Sequence, residues 1–160
     1  MILDAQMQFS DSQAVTADAV GTNVIDLSVD RALGNGEPMG VLFVVEVAAD
    51  QTTGDEDYTF DVEYASDAAQ TTARQLIGRR VFESGTPTAP AQDADLLVAG
   101  YKFAIPIPPS SLGDSERYLG IRYDVTGTTP TITCSAYLMP LSMMDVDTNV
   151  HYADGFTISG

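Results

Sequence analysis

A period of two constrains this chain more than any other feature. Between residues 58 and 65, Tyr58, Phe60, Val62 and Tyr64 alternate with Thr59, Asp61 and Glu63. In an extended strand that spacing sends the large apolar groups to one face and the polar groups to the other. It predicts a strand with one face on a core and one in water, with Asp61 and Glu63 on the wet side. The same period returns at 118–125, with Leu119, Ile121, Tyr123 and Val125 inward, and at 131–139, with Ile132, Cys134, Ala136 and Leu138 inward. Between these two runs lies Thr126-Gly127-Thr128-Thr129-Pro130, a string of turn formers, so the pair predicts an antiparallel hairpin. Nowhere does the i, i+3, i+4 recurrence of a long amphipathic helix take over.

Further strands are expected at 22–27, 41–49, 75–82 and 96–107. The run 41–49 is apolar except for Glu46, which predicts a central strand covered on both faces. The run 96–107 is long, and Gly100 is where a bulge would bend it. Loops rich in Gly, Pro, Asp and Thr separate the runs at 34–38, 52–57, 84–92 and 108–115. About seven or eight short strands spaced by such loops predict an all-β fold, an antiparallel β-sandwich of jelly-roll-like form. At 160 residues, the chain fits one domain: a sandwich over 22–139, an N-terminal arm over 1–21 and a C-terminal arm over 140–160. Phe9 in the first arm, and His151, Tyr152 and Phe156 in the second, are large groups outside the predicted strands. They are candidate contacts to a neighbouring subunit or a larger assembly.

Charge sets the partners. Twenty-three acidic residues against seven basic ones give a formal charge of −16, and Lys102 is the only lysine. A phosphate backbone requires a basic face that releases counterions, so nucleic acid is not an expected partner; anionic membrane is disfavoured on the same ground, and no membrane partner is expected. Arg79 and Arg80, adjacent in a strand, point to opposite faces, and Arg117 and Arg122 flank another strand. In so acidic a chain each is expected to answer a local carboxylate.

Catalytic chemistry is sparse. His151 is the only histidine and Cys134 the only cysteine, so no internal disulfide is possible. A Ser-His-Asp or Cys-His unit would need His151, and Cys134 falls on the inner face of its strand, where a thiol is inert packing. Asp61 and Glu63 share a face as a glycosidase pair would, but a solvated strand face explains them. Asp145-Val146-Asp147-Thr148-Asn149 opens like a calcium loop, yet Val150 and Phe156 stand where glycine and glutamate are required. Asp55-Glu56-Asp57 reads as solvated turn acids. The chain is therefore expected to be no enzyme and to carry no metal or cofactor. Met1-Ile2-Leu3-Asp4 lacks the basic and long apolar regions of a signal peptide, so synthesis in a cytoplasm is expected.

Short words along the chain add a resemblance. Met1-Ile2-Leu3-Asp4-Ala5-Gln6, then Phe9-Ser10-Asp11, Gln13-Ala14-Val15-Thr16, Thr22-Asn23-Val24-Ile25-Asp26-Leu27, Gly34-Asn35-Gly36-Glu37-Pro38 and Gly155-Phe156-Thr157-Ile158 resemble the capsid cement, or decoration, proteins of tailed bacteriophages. The likeness covers both ends and, loosely, most of the chain, leaving residues 50–57 and 65–74 without a counterpart. It implies a jelly roll that forms a homotrimer on the outer surface of a virion. There it would bridge neighbouring copies of the major capsid protein and stabilise the shell. The alternative from the residues alone is a small β-sandwich module that binds carbohydrate or peptide.

Overall fold

A computed structural model describes residues 5–28, 36–88, 90–108 and 117–144. They form two packed β-sheets, and no α-helix occurs among them. The strands are β1 (Gln8–Val15), β2 (Ala19–Val20), β3 (Ile25–Asp26), β4 (Met39–Val47), β5 (Asp57–Ala65), β6 (Gln75–Glu83), β7 (Gln92–Asp93), β8 (Lys102–Ile107), β9 (Tyr118–Thr126) and β10 (Ile132–Pro140). One sheet has the order β1-β10-β4-β8 and the other β2-β9-β5-β6-β7, with β3 also pairing β9. All pairs are antiparallel except β6 with β7. Taking β2 and β3 as one interrupted strand and β7 as an addition, eight strands divide four and four between the sheets. Apart from β5 and β6, which pair as neighbours within one sheet, consecutive strands cross from sheet to sheet as in a jelly roll.

The core sits where the alternation places it. Tyr58, Phe60, Val62 and Tyr64 of β5, Leu119, Ile121 and Tyr123 of β9, and Ile132, Cys134, Ala136 and Leu138 of β10 are all buried. At the centre, the Phe43 ring stacks on Phe103 at 5.1 Å, and Phe60 meets Phe103 edge-on at 4.9 Å and Phe82 at 5.7 Å. Such contacts add specific geometry to the large apolar area that each ring removes from water. The expected β9–β10 hairpin does not form: β10 lies in the first sheet between β1 and β4 and β9 in the second beside β5, so the turn residues 127–131 carry the chain from one sheet to the other. Strand β4 lies between β10 and β8. Its outer side is covered only near its start, where Leu141 and Met144 fold back over Gly40 and an added Cβ would meet Leu141 Cδ2 at 2.6 Å and Met144 Cε at 3.0 Å; Glu46 and Val47 at its end are exposed, so the expected cover on both faces does not run the length of the strand.

Three further expectations need correction. The sandwich begins at Gln8 rather than at residue 22: β1 pairs with β10, and Phe9 is completely buried in the core. Register shifts on either side of Ser10, together with Ser12 at φ 46°, disrupt the regular alternation of this strand. These bulges hide its signature from a period-two reading. Ser10 is buried too, and its hydroxyl shares a 2.7 Å hydrogen bond with that of Tyr123. Second, only Ile25–Asp26 of the run 22–27 is a strand. Third, the run 96–107 is no continuous bent strand. Asp93 accepts a hydrogen bond from the Asp95 amide and caps a short 3-10 turn over Ala94–Leu96, Gly100 turns the chain at φ 89°, and β8 starts only at Lys102.

Candidate functional site

The outer face of the β9-β5-β6 sheet concentrates the charged side chains. Cross-strand register sets Asp61 of β5 opposite Arg79 of β6 on one side and Arg122 of β9 on the other. Arg79 grips Asp61 with two parallel bonds, Nε to Oδ1 at 2.7 Å and Nη2 to Oδ2 at 2.6 Å. One residue pair along, Glu63 accepts from Arg74 at 2.7–3.2 Å and from Arg122 at 3.2–3.3 Å. Both carboxylates are only 1% exposed. The expected wet strand face is thus a buried ionic layer, and Asp61 and Glu63 are neither solvated nor available as a glycosidase pair. A half-buried period-two strand and one capped by arginines have the same sequence pattern, which is why alternation alone misassigns them.

The cover over this layer is the segment 66–74. Asp67 accepts from the amides of Thr71 and Thr72 and from the Thr71 hydroxyl, which bends the segment back on itself. The Thr71 and Thr72 bonds also hold the Asp67 carboxyl below its ordinary pKa. The Gln70 carbonyl then accepts from Arg122 Nη2 at 3.0 Å. The Gln70 side chain lies directly over Gly120, in space that a Cβ there would occupy at 1.4 Å. Asp124, near this layer on β9, is held above the usual carboxylate range, first by burial and then by the charges of Asp61 and Asp18.

The other candidate residues also have structural employment. Arg117 pairs with Asp26 at 2.5 Å, while the guanidinium of Arg80 donates to the neutral Gln92 Oε1 at 2.7 Å rather than to a carboxylate. Glu56 is fully buried instead of solvated: it accepts from the amides of Thr53, Gly54 and Asp55 and from the Thr53 hydroxyl. That carboxylate closes its own loop, and the Thr53 bond, the largest cause, lowers its pKa. Cys134 is fully buried, and burial pushes its thiol up to about 12, far from a nucleophile's range. Among the described residues no group of His, Cys, Asp and Glu could hold a metal ion. Of the candidate contact residues, Phe9 is core, while His151, Tyr152 and Phe156 lie outside the described residues.

The surface also carries grooves lined by described residues. One, of about 420 Å³, opens between β6 and β8 and is floored by Ile77, Gly78, Ala104 and Ile105, with Arg79 and Arg80 at its lip. The other, of about 450 Å³, lies between Gln6–Gln8 and Asn23–Asp26 and is more polar. The family model Bbp16 matches residues 9–138, from the first core aromatic into the last strand, β10. The chain belongs to the Bbp16 family. That family is phage-associated, and the matched span coincides with the sandwich from β1 to β10, including the N-terminal strand that alternation alone overlooks. No curated protein matches the chain. The matched span therefore holds the ionic layer, its cover and the groove between β6 and β8, whereas Gln6–Gln8 of the second groove lie before it.

Proposed function

We propose that this protein is a structural component of a phage particle, a cement protein that binds the outer surface of the capsid as a homotrimer and bridges neighbouring major capsid proteins. Membership of a phage-associated family is the observation that carries this reading. It is supported by the jelly-roll strand order and by ionisable side chains that serve the fold itself: Asp61, Glu63 and Glu56 are each buried and bonded within the chain. A sandwich tied together in this way suits a rigid clamp better than a site that must bind and release a substrate.

The electrostatics shape how such a clamp would dock. Three copies carry 3 × −16 = −48, and Arg74, Arg79, Arg117 and Arg122 are already engaged by the chain's own carboxylates. Docking on another acidic surface then has to keep charge at the rim, so binding to the shell should strengthen as salt or divalent ions are added. Steady weakening with salt would instead reveal attraction to a basic patch. A reconstruction of the particle tests the assignment. Expected is jelly-roll density in groups of three on the outer surface, each touching more than one major capsid protein. Density confined to the interior or the tail would contradict it, and a monomer that binds glycans would favour the carbohydrate-binding alternative.

A further inference from the structure

We infer that an apolar knuckle at one end of the sandwich is where three copies of this chain meet around a threefold axis, an assignment that rests on the homotrimer proposed above and gives it a surface. Two neighbouring backbone runs build the knuckle: the end of β4 with the residues just after it, and the bend that leads into β8. The Val45 amide donates to the Tyr101 carbonyl at 2.9 Å, the Gly100 amide to the Val45 carbonyl at 2.7 Å, and the Ala49 amide to the Leu97 carbonyl at 2.9 Å. Val47 falls between these bonds, beside Val98 and Ala99. Val47 is 59% exposed and Val98 55%, and Ala48, Ala99 and Gly100 are exposed with them.

Two properties separate this surface from an ordinary loop tip. It is rigid: Ala94 and Leu97 are completely buried, Asp93 caps the 3-10 turn ahead of it, the Gln51 side chain donates to the Ala94 carbonyl at 2.7 Å, and Gly100 takes a left-handed φ of 89°. It also lacks charge. Residues 47–49 are Val-Ala-Ala and residues 96–101 are Leu-Leu-Val-Ala-Gly-Tyr, whereas the turns at 52–57, 84–88 and 126–130 consist of Ser, Thr, Asp, Glu, Gly and Pro. A fixed apolar tip gains free energy only when a partner removes it from water.

Charge selects the occupant. Each copy carries −16, so copies repel wherever their free carboxylates face one another and can meet only where those are missing or engaged. Glu46, the acid next to Val47, is turned along its own sheet and accepts from the hydroxyls of Ser12 and Ser135. Asp50 accepts from the Thr52 amide at 3.0 Å and from the Thr52 hydroxyl. Asp95 is exposed and falls at the rim, where water and salt screen it. A basic partner would be drawn to the acidic surface instead. Symmetry suits the shape as well. In a closed ring of three most contacts join unlike surfaces, but at the axis the same residues of every copy converge. A narrow tip of valine, alanine and glycine lets three backbones approach there.

The test is sedimentation of the full chain carrying Val47→Asp or Val98→Asp. The parent should sediment at three times 17.0 kDa and each variant at 17.0 kDa, with the urea midpoint unchanged because both side chains are exposed. In a second measurement, a short bismaleimide should join Ala99→Cys chains in pairs. It should leave Ala69→Cys chains single, since that exposed position lies on the cover over the other sheet; Cys134 is fully buried and takes no part. If an aspartate variant loses its fold along with its mass, the cross-link decides. A monomeric parent defeats the trimer reading and this assignment with it. A trimeric parent whose aspartate variants stay trimeric overturns the assignment alone, as does a trimer linked through Ala69→Cys but not through Ala99→Cys. Variants that stay trimeric yet no longer bind shells overturn it too, and give the knuckle to the capsid protein.

Discussion

Replacing Glu63 by glutamine tests the ionic layer directly. The carboxylate is 1% exposed and accepts five hydrogen bonds from two arginines. Arg74 is 40% exposed at its side chain and can turn to water, so its loss resembles that of a surface pair, about 0–1 kcal/mol. Arg122 is 18% exposed and sits beneath the 66–74 segment, held also by the Gln70 carbonyl. It cannot leave without lifting that cover. Removing one partner of a buried pair costs about 3–5 kcal/mol, and the partial exposure of Arg122 sets the expectation near the lower end, about 3 kcal/mol. The sign is informative, because neutralising an acid in a chain of charge −16 relieves general repulsion and would by itself stabilise. Urea unfolding, read as a shift in midpoint at constant slope, measures the effect. The companion variant Glu63→Leu with Arg122→Met removes both charges and should recover most of the loss. A Glu63→Gln protein within about 1 kcal/mol of the parent would refute the ionic layer as a stabilising feature.

Three further outcomes are expected. Phe60→Ala, at the meeting point of the Phe43, Phe82, Phe103 and Tyr123 rings, should cost about 3–5 kcal/mol in the same urea assay. Asp124→Asn should raise the melting temperature at neutral pH, because the native state holds this carboxyl's pKa above its ordinary 3.8 and so is penalised when the group ionises. The advantage should begin to fade as the pH falls through the raised native value and be gone below 3.8, where the carboxyl is protonated in the folded and unfolded chain alike. Finally, the Cys134 thiol should resist a disulfide reagent at about pH 8 until the protein is unfolded, then react fully; rapid reaction of the native protein would show that β10 opens locally.

Most of the sandwich can be read from alternation, and the reasons for the exceptions are local. Strands β5, β9 and β10 keep strict inward apolar residues, so their core faces follow from spacing alone, but not the pairing of β9 with β10, because a turn between two alternating runs serves equally to cross from one sheet to the other. Strand β1 does not, because its bulges at Ser10 and Ser12 bring Phe9 and the polar Ser10 into the interior together. Lone short pairings such as Ile25–Asp26 depend on the neighbour that β9 offers rather than on their own propensity. The ionic layer was partly legible: scarce arginines in an acidic chain had to find carboxylates, and Arg79, Arg117 and Arg122 do. What spacing could not supply was the 66–74 segment folding over that face, since its position rests on an Asp67-centred turn and on Gly120 leaving room for Gln70. That contact is long-range, and only the three-dimensional arrangement brings its parts together.

The central claim, that this Bbp16-family protein cements a capsid, is tested most directly by mixing the purified chain with shells that lack it and sedimenting them together. The account predicts saturable co-sedimentation at a fixed number of copies per shell, in multiples of three, with the loaded shells breaking open at a higher temperature than the bare ones. Protein that stays in the supernatant at every salt concentration, or that binds without saturation and leaves the shell's disruption temperature unchanged, would contradict it.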